Sequence, residues 1–137
     1  MWCKALRIMD DYRQEDLPCE MMDDGSSAVM LMDVDDSDGR TYRLEIWSTP
    51  DASAATAYVV FNPWSEADEG PNAGAAYADG HVDEDGFLCL GNEHGSHTLE
   101  ESPYPLRFVL ARAIYWCECF SYYKENGWFP QPRRGEA

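Results

Sequence analysis

With 137 residues, the chain has the length of one domain and can bury a core without a disulfide or a metal to hold it together. Its formal net charge is −16, and residues 1 to 101 hold 23 of the 26 acids but 5 of the 10 bases. Such a surface repels phosphate and argues against nucleic acid as a partner, while suiting solubility, mimicry of nucleic acid, or the steering of a basic protein.

No apolar run approaches the roughly 18 residues that span a bilayer, and Met1-Trp2-Cys3-Lys4 does not lead into the apolar stretch of a secretory signal. The expectation is a soluble, cytoplasmic protein with no membrane partner. Cys3, Cys19, Cys89, Cys117 and Cys119 are an odd set without framework spacing, which fits reduced thiols and the same compartment.

From Cys3 to about Gln14, Leu6, Met9 and Tyr12 fall near one face and predict a short amphipathic helix ended by Pro18. Three segments rich in Val, Ile, Tyr and Met follow, Ala28 to Val34, Thr41 to Trp47 and Ala57 to Phe61. Asp35-Asp36-Ser37-Asp38-Gly39-Arg40 between the first two has turn chemistry, so the three predict an antiparallel meander. Asn62 to Gly80 is polar, with Pro63, Gly70, Pro71 and Gly74, and reads as a long surface excursion. From Tyr104 to Asn126, Leu106, Val109, Leu110, Ala113, Ile114, Cys117 and Phe120 recur at helical spacing, with Gly127 as the stop. The class expected is α+β, one domain over residues 1–129, with 130–137 a flexible tail.

The sharpest chemistry lies in Asp79-Gly80-His81-Val82-Asp83-Glu84-Asp85-Gly86-Phe87-Leu88-Cys89-Leu90, a polar turn ending in an apolar run with a cysteine inside it. His81, eight residues before Cys89, can return across the turn to face the thiol. The plainer readings are a buried strand cysteine acting as a small hydrophobe and a turn histidine bonded to its own backbone. Asp83, Glu84 and Asp85 read as a solvated turn rather than a cation site.

His81, Cys89, His94, His97, Cys117 and Cys119 are enough donors for zinc, but Cys117 and Cys119 are two apart on a helix, pointing to different faces, and no Cys-x-x-Cys pair exists. His94 and His97 fall in a Gly/Ser loop, expected at the surface, and no metal or other cofactor is expected. Tyr115, Trp116, Tyr122, Tyr123, Trp128 and Phe129 read as core and helix-end packing.

The order of helix, meander, long loop with a turn before a cysteine, and long helix resembles the ubiquitin-conjugating enzyme fold. That family carries a His-Pro-Asn triplet, a turn with glycine, and an apolar-Cys-apolar step. Here Cys89 falls on the cysteine, Leu88 and Leu90 on its neighbours, Gly86 on the glycine, Val82 on the apolar residue after the triplet and His81 on the Asn. Ser102-Pro103 before Leu106, Val109 and Leu110 is similar to the family's step into its helix, and Leu44-Glu45-Ile46, Pro50 and Val59-Val60-Phe61 sit where its strands and intervening proline fall. Asp79-Gly80-His81 replaces the triplet, the paired prolines before the third strand are absent, and the loop from Phe61 to Asp79 is long. In these respects, and in its aromatic-rich close, the chain looks like bacterial relatives from anti-phage operons, where histidine can stand in for the Asn.

The resemblance implies a conjugating enzyme. Cys89 would accept a C-terminal acyl group from an activating enzyme, hold it as a thioester and pass it to an amine, with His81 as oxyanion donor or base. The implied acyl donor is a cGAS-like nucleotidyltransferase or a ubiquitin-like protein. Two other expectations stand beside it: a catalytically silent adaptor of the same fold, and an acidic inhibitor that mimics nucleic acid.

Overall fold

The structure is a computed structural model that describes residues 3–64, 81–82, 86–90, 98–99 and 101–130. The surface excursion from residue 65 to residue 80, the acidic triplet at 83–85, His94, His97 and the tail beyond Pro130 lie outside the described residues.

Helix α1 spans Lys4–Asp10 and buries Ala5, Ile8 and Met9, with Leu6 and Tyr12 packed at the edge of the core. It stops short of the Gln14 expected from periodicity because the chain tightens. The Asp11 and Tyr12 N–H groups donate three residues back, to Ile8 O at 3.3 Å and Met9 O at 2.9 Å. Gln14 takes a different task. Its side-chain amide donates to Asp33 O at 2.8 Å and accepts from Asp33 N–H at 2.7 Å, so it stands in for a strand neighbour on the edge of strand Ala28–Asp35 beyond its pairing with Cys19–Met21.

The sheet is a four-stranded antiparallel meander in the order β1-β2-β3-β4: β1 Cys19–Met21, β2 Ala28–Asp35, β3 Thr41–Ser48 and β4 Ala55–Phe61. The last three match the expected strands, and β1 is an addition. It pairs Cys19 with Met30 and Met21 with Ala28. Register places Met30 opposite Ile46 and Ile46 opposite Ala57, so the period-two pattern gives the sheet one apolar face. On the other face Arg43 holds Asp33 at 2.8 Å and the Trp47 indole donates to Glu45.

Helix α2, Leu106–Asn126, covers the apolar face together with α1. It begins two residues after the expected Tyr104, behind Pro105, and the Leu106 N–H donates to Ala52 O at 3.1 Å. Gly127 ends it as expected. Its φ of 87° is left-handed, a conformation glycine takes without a Cβ clash, and its N–H reaches Tyr123 O at 2.8 Å. Trp116 and Phe120 stack in the core at 4.8 Å, and both meet Tyr42 edge-on. Cys117 and Cys119 are both buried, so their two-residue spacing does not leave one of them at the surface.

Candidate active site

The free edge of β4 is covered by the segment that carries Cys89. The Val59 N–H donates to Gly86 O at 2.8 Å and the Leu88 N–H to Ala57 O at 3.0 Å, with Tyr58 bridged antiparallel to Phe87. Outside this lies a further layer, in which Val82 bridges Leu88 and the Cys89 N–H donates to His81 O at 2.9 Å. The sheet therefore continues past β4 as a narrow hairpin, and His81 and Cys89 are register partners at its end away from Gly86. The facing of these two residues expected from sequence is present at the level of the backbone.

Local chemistry explains the shape. Gly86 has φ of 88°, the left-handed value the turn needs, and His81 has φ of 58°, a region where histidine, asparagine and aspartate are enriched among side-chain-bearing residues. Val82, Leu88 and Leu90 are buried in the main core, which anchors the hairpin from one side. Cys89 lies between two of these anchors and is half-buried. Phe87 packs edge-on against Tyr58 with ring centroids 5.6 Å apart.

His81 is also half-buried, and its ring stacks on Phe129 at 4.2 Å with 19° between the planes. Phe129 follows Gly127 and belongs to the aromatic group expected in core and helix-end packing. Its contact with His81 could not be found from sequence, because nothing in the spacing of 81 and 129 relates a turn to a helix end. Of the other aromatics in the expected group, Trp116 is buried and Tyr123 borders the core, whereas Tyr115, Tyr122 and Trp128 are exposed.

The remaining thiols offer less. Burial pushes the Cys117 thiol well above its ordinary value and raises Cys119 as well, which disfavours a thiolate at either. Cys19 is raised chiefly by burial, against a lowering from Arg13, and Cys3 lies 3.6 Å from the Met21 sulfur.

A second polar cluster was not anticipated from sequence. The Asp36 side chain is 1% exposed and accepts from Ser121 Oγ at 2.6 Å, from the Asp38 and Arg40 N–H groups at 2.9 Å and from Arg40 Nη1 at 3.1 Å. Since Ser121 gives its only proton to Asp36, the Tyr42 hydroxyl at 2.6 Å and the Trp64 indole N–H at 3.1 Å must donate to Ser121. Arg40 lies over the Trp64 ring at 4.2 Å and reaches Glu125 at 3.5 Å. Burial raises the Asp36 carboxyl, but the donors around it outweigh burial and leave it below its ordinary value. Tyr42 is raised, foremost by burial. Ser121 has its donor and both acceptor positions filled and, among the described residues, no imidazole beside it, so the cluster reads as structural. Asn62 Nδ2 is the buried side-chain donor left without a partner among the described residues.

Among the described residues no group of three His, Cys, Asp or Glu is placed to hold a metal ion, and no helix is long and apolar enough to cross a membrane. Ala57, Leu88, Leu90, Pro103, Tyr104 and Val109 help line a cleft beside the cysteine segment with room for about a single water. No family model matches the chain, and no curated protein or solved structure matches it.

Proposed function

We propose that this chain is a cysteine-dependent acyl carrier of the ubiquitin-conjugating type, with Cys89 as nucleophile and His81 as its partner. The observation behind the proposal is the register of the outer hairpin. The Cys89 N–H donates to His81 O at 2.9 Å, so a half-buried cysteine and a half-buried histidine are backbone neighbours across the two arms of one hairpin. The order of helix, antiparallel meander, cysteine segment and covering helix supports the same reading, as do the buried, raised thiols of Cys117 and Cys119.

In the first step the Cys89 thiolate attacks the carbonyl of a C-terminus held as a thioester on an activating enzyme. A new C–S bond forms, the old one breaks, and the activating enzyme's thiolate leaves. In the second step an amine attacks the Cys89 thioester, and the tetrahedral intermediate places charge on oxygen. Its collapse breaks the C–S bond, leaves an amide and returns the Cys89 thiolate, while the amine gives up a proton. A His81 ring N–H aimed at that oxygen is worth about 2.7–4 kcal/mol. Imidazole also suits the task of taking the amine proton. The donor, a cGAS-like nucleotidyltransferase or a ubiquitin-like protein in a bacterial anti-phage system, is the part of the proposal that rests on resemblance alone.

The test is an intact mass spectrum after incubation with ATP and the proteins of the neighbouring genes, as candidate activating enzyme and donor, read with and without added thiol. The expected result is a gain equal to the donor less one water, lost on thiol treatment. No adduct, or an adduct that persists in Cys89→Ala, overturns the proposal.

A further inference from the structure

We infer that Phe129 is a positioning residue for His81: the segment after α2 returns to the outer hairpin and fixes the plane of the imidazole beside Cys89. The inference rests on the proposed role of His81 in transfer from Cys89 and adds a residue that this role does not by itself require.

The contact is a face-to-face stack at 4.2 Å with 19° between the rings. A stack of this kind engages the π face of the imidazole, whereas both ring nitrogens lie in the ring plane. It therefore holds the ring without using either nitrogen, which is what a group that must donate or accept a proton needs. The support behind Phe129 is itself rooted in the core. Phe129 tilts against Tyr123 at 6.4 Å, Tyr123 against Phe120 at 5.9 Å, and Phe120 is fully buried. The left-handed Gly127, with its N–H on Tyr123 O, turns the chain so that Phe129 meets the hairpin. His81 itself sits in a turn with φ of 58° and gives its carbonyl to Cys89. Its backbone is thus set by the hairpin, and the rotation of its ring is set in part from a different element.

Core packing alone would give Phe129 a role in stability and no specific role in transfer, so the two are separable by experiment. The thioester of the full chain is formed and its discharge to free lysine is followed in one turnover, for the parent, Phe129→Leu, Phe129→Tyr and Trp128→Ala. Phe129→Leu should load normally and discharge about 10-fold or more slowly, the scale of a modest misplacement of a catalytic group. Phe129→Tyr restores the stack and should restore the rate. Trp128→Ala removes the neighbouring ring, 57% exposed and directed to Tyr122, and should leave the rate unchanged. In a His81→Asn background, Phe129→Leu should add no further loss.

A second reading needs no acyl donor. In the proton NMR spectrum the His81 ring protons of the parent and of Phe129→Tyr should lie upfield from the ring current of the stacked aromatic, and should return toward free-imidazole positions in Phe129→Leu. Discharge at the parental rate in folded Phe129→Leu, an equal loss in the His81→Asn background, or ring protons that do not move would each overturn the positioning role while leaving the thioester chemistry standing. A parent that never forms a thioester overturns the proposed function and this role with it, whatever the NMR arm reports about the stack.

Discussion

Two acidic segments with a glycine, Asp35-Asp36-Ser37-Asp38-Gly39-Arg40 and Asp83-Glu84-Asp85-Gly86, look alike in sequence, and the fold surrounds them differently. Both glycines are left-handed, with φ of 83° at Gly39 and 88° at Gly86. At the first turn Asp36 is drawn into the protein, where Ser121 of α2, the Arg40 side chain and two backbone N–H groups satisfy it. The second is flanked by two arms joined by main-chain hydrogen bonds and anchored by Val82, Leu88 and Leu90, with His81 and Cys89 half-buried at the end away from Gly86. A titratable group whose bonds are all made inside the protein stabilises it, whereas His81 and Cys89 are joined through their backbones at a partly open edge.

The comparison breaks most visibly if Cys89 is replaceable. Cys89→Ser should convert a thiol-labile adduct into a thiol-resistant ester or abolish it, and Cys89→Ala should leave no adduct, with stability altered by less than about 1 kcal/mol. Cys117→Ala should still load. A thiol-labile adduct of parental yield in Cys89→Ala would remove the hairpin from consideration.

The next effect concerns His81. Alanine is a weaker probe here, because histidine, asparagine and glycine adopt a φ of 58° more readily than alanine does, so a slow His81→Ala protein would mix a backbone change with lost chemistry. His81→Gly keeps the backbone and removes the ring. It should slow transfer to an amine about 100-fold with loading intact, as expected for a lost donor or base. His81→Asn tolerates the same φ and restores an amide donor, so a recovered rate assigns the oxyanion role. A rate that stays low, together with loss of the parental pH dependence near the imidazole range, assigns the base. Parental rates in His81→Gly would reduce the histidine to a turn residue.

At the other turn the expected effect is on stability. Asp36→Ala leaves the Ser121 hydroxyl, the Arg40 guanidinium and two backbone N–H groups without their acceptor, and should cost about 3 kcal/mol in urea unfolding. Loading per folded molecule should remain that of the parent. A loss of loading in folded Asp36→Ala would mean that the two regions are coupled rather than distinct.

Sequence carried the parts of this comparison that depend on local pattern. The period-two runs of β2, β3 and β4, the helical spacing of α2 with its Gly127 stop, and the eight-residue return from His81 to Cys89 are each visible within one segment, and each has its counterpart in the structure. What sequence withheld depends on pairs far apart. Strand β1 is three residues with Glu20 exposed, too short for alternation to show, and only its register on β2 defines it. Gln14 reads as a continuation of α1 until the edge of β2 recruits its amide. Asp36 is one of four acids between Asp33 and Asp38, and only the approach of Ser121, 85 residues on, selects it. Phe129 is selected in the same way by His81.

The smallest effect lies in acid. The Asp36 carboxyl is held below its ordinary value because its donors outweigh the opposing effect of burial. A depressed folded value means that the folded protein binds the proton later than the unfolded chain. The stability it contributes is therefore fully present above the unfolded aspartate value of about 3.9 and is lost as pH falls through the lower folded one. Asp36→Asn keeps an oxygen for the two backbone N–H groups and allows Ser121 to turn its proton elsewhere, so this variant should fold and be less destabilised than Asp36→Ala. Its unfolding free energy should fall less steeply below about pH 4 than that of the parent. A remainder is expected, since Asp33 is lowered by its bond to Arg43 and Asp51 is held at about 2 by Ser53 and Thr49. An acid slope identical in parent and Asp36→Asn would show that the buried carboxylate is not a source of acid sensitivity, and that its donors do not stabilise the charged form inside the fold.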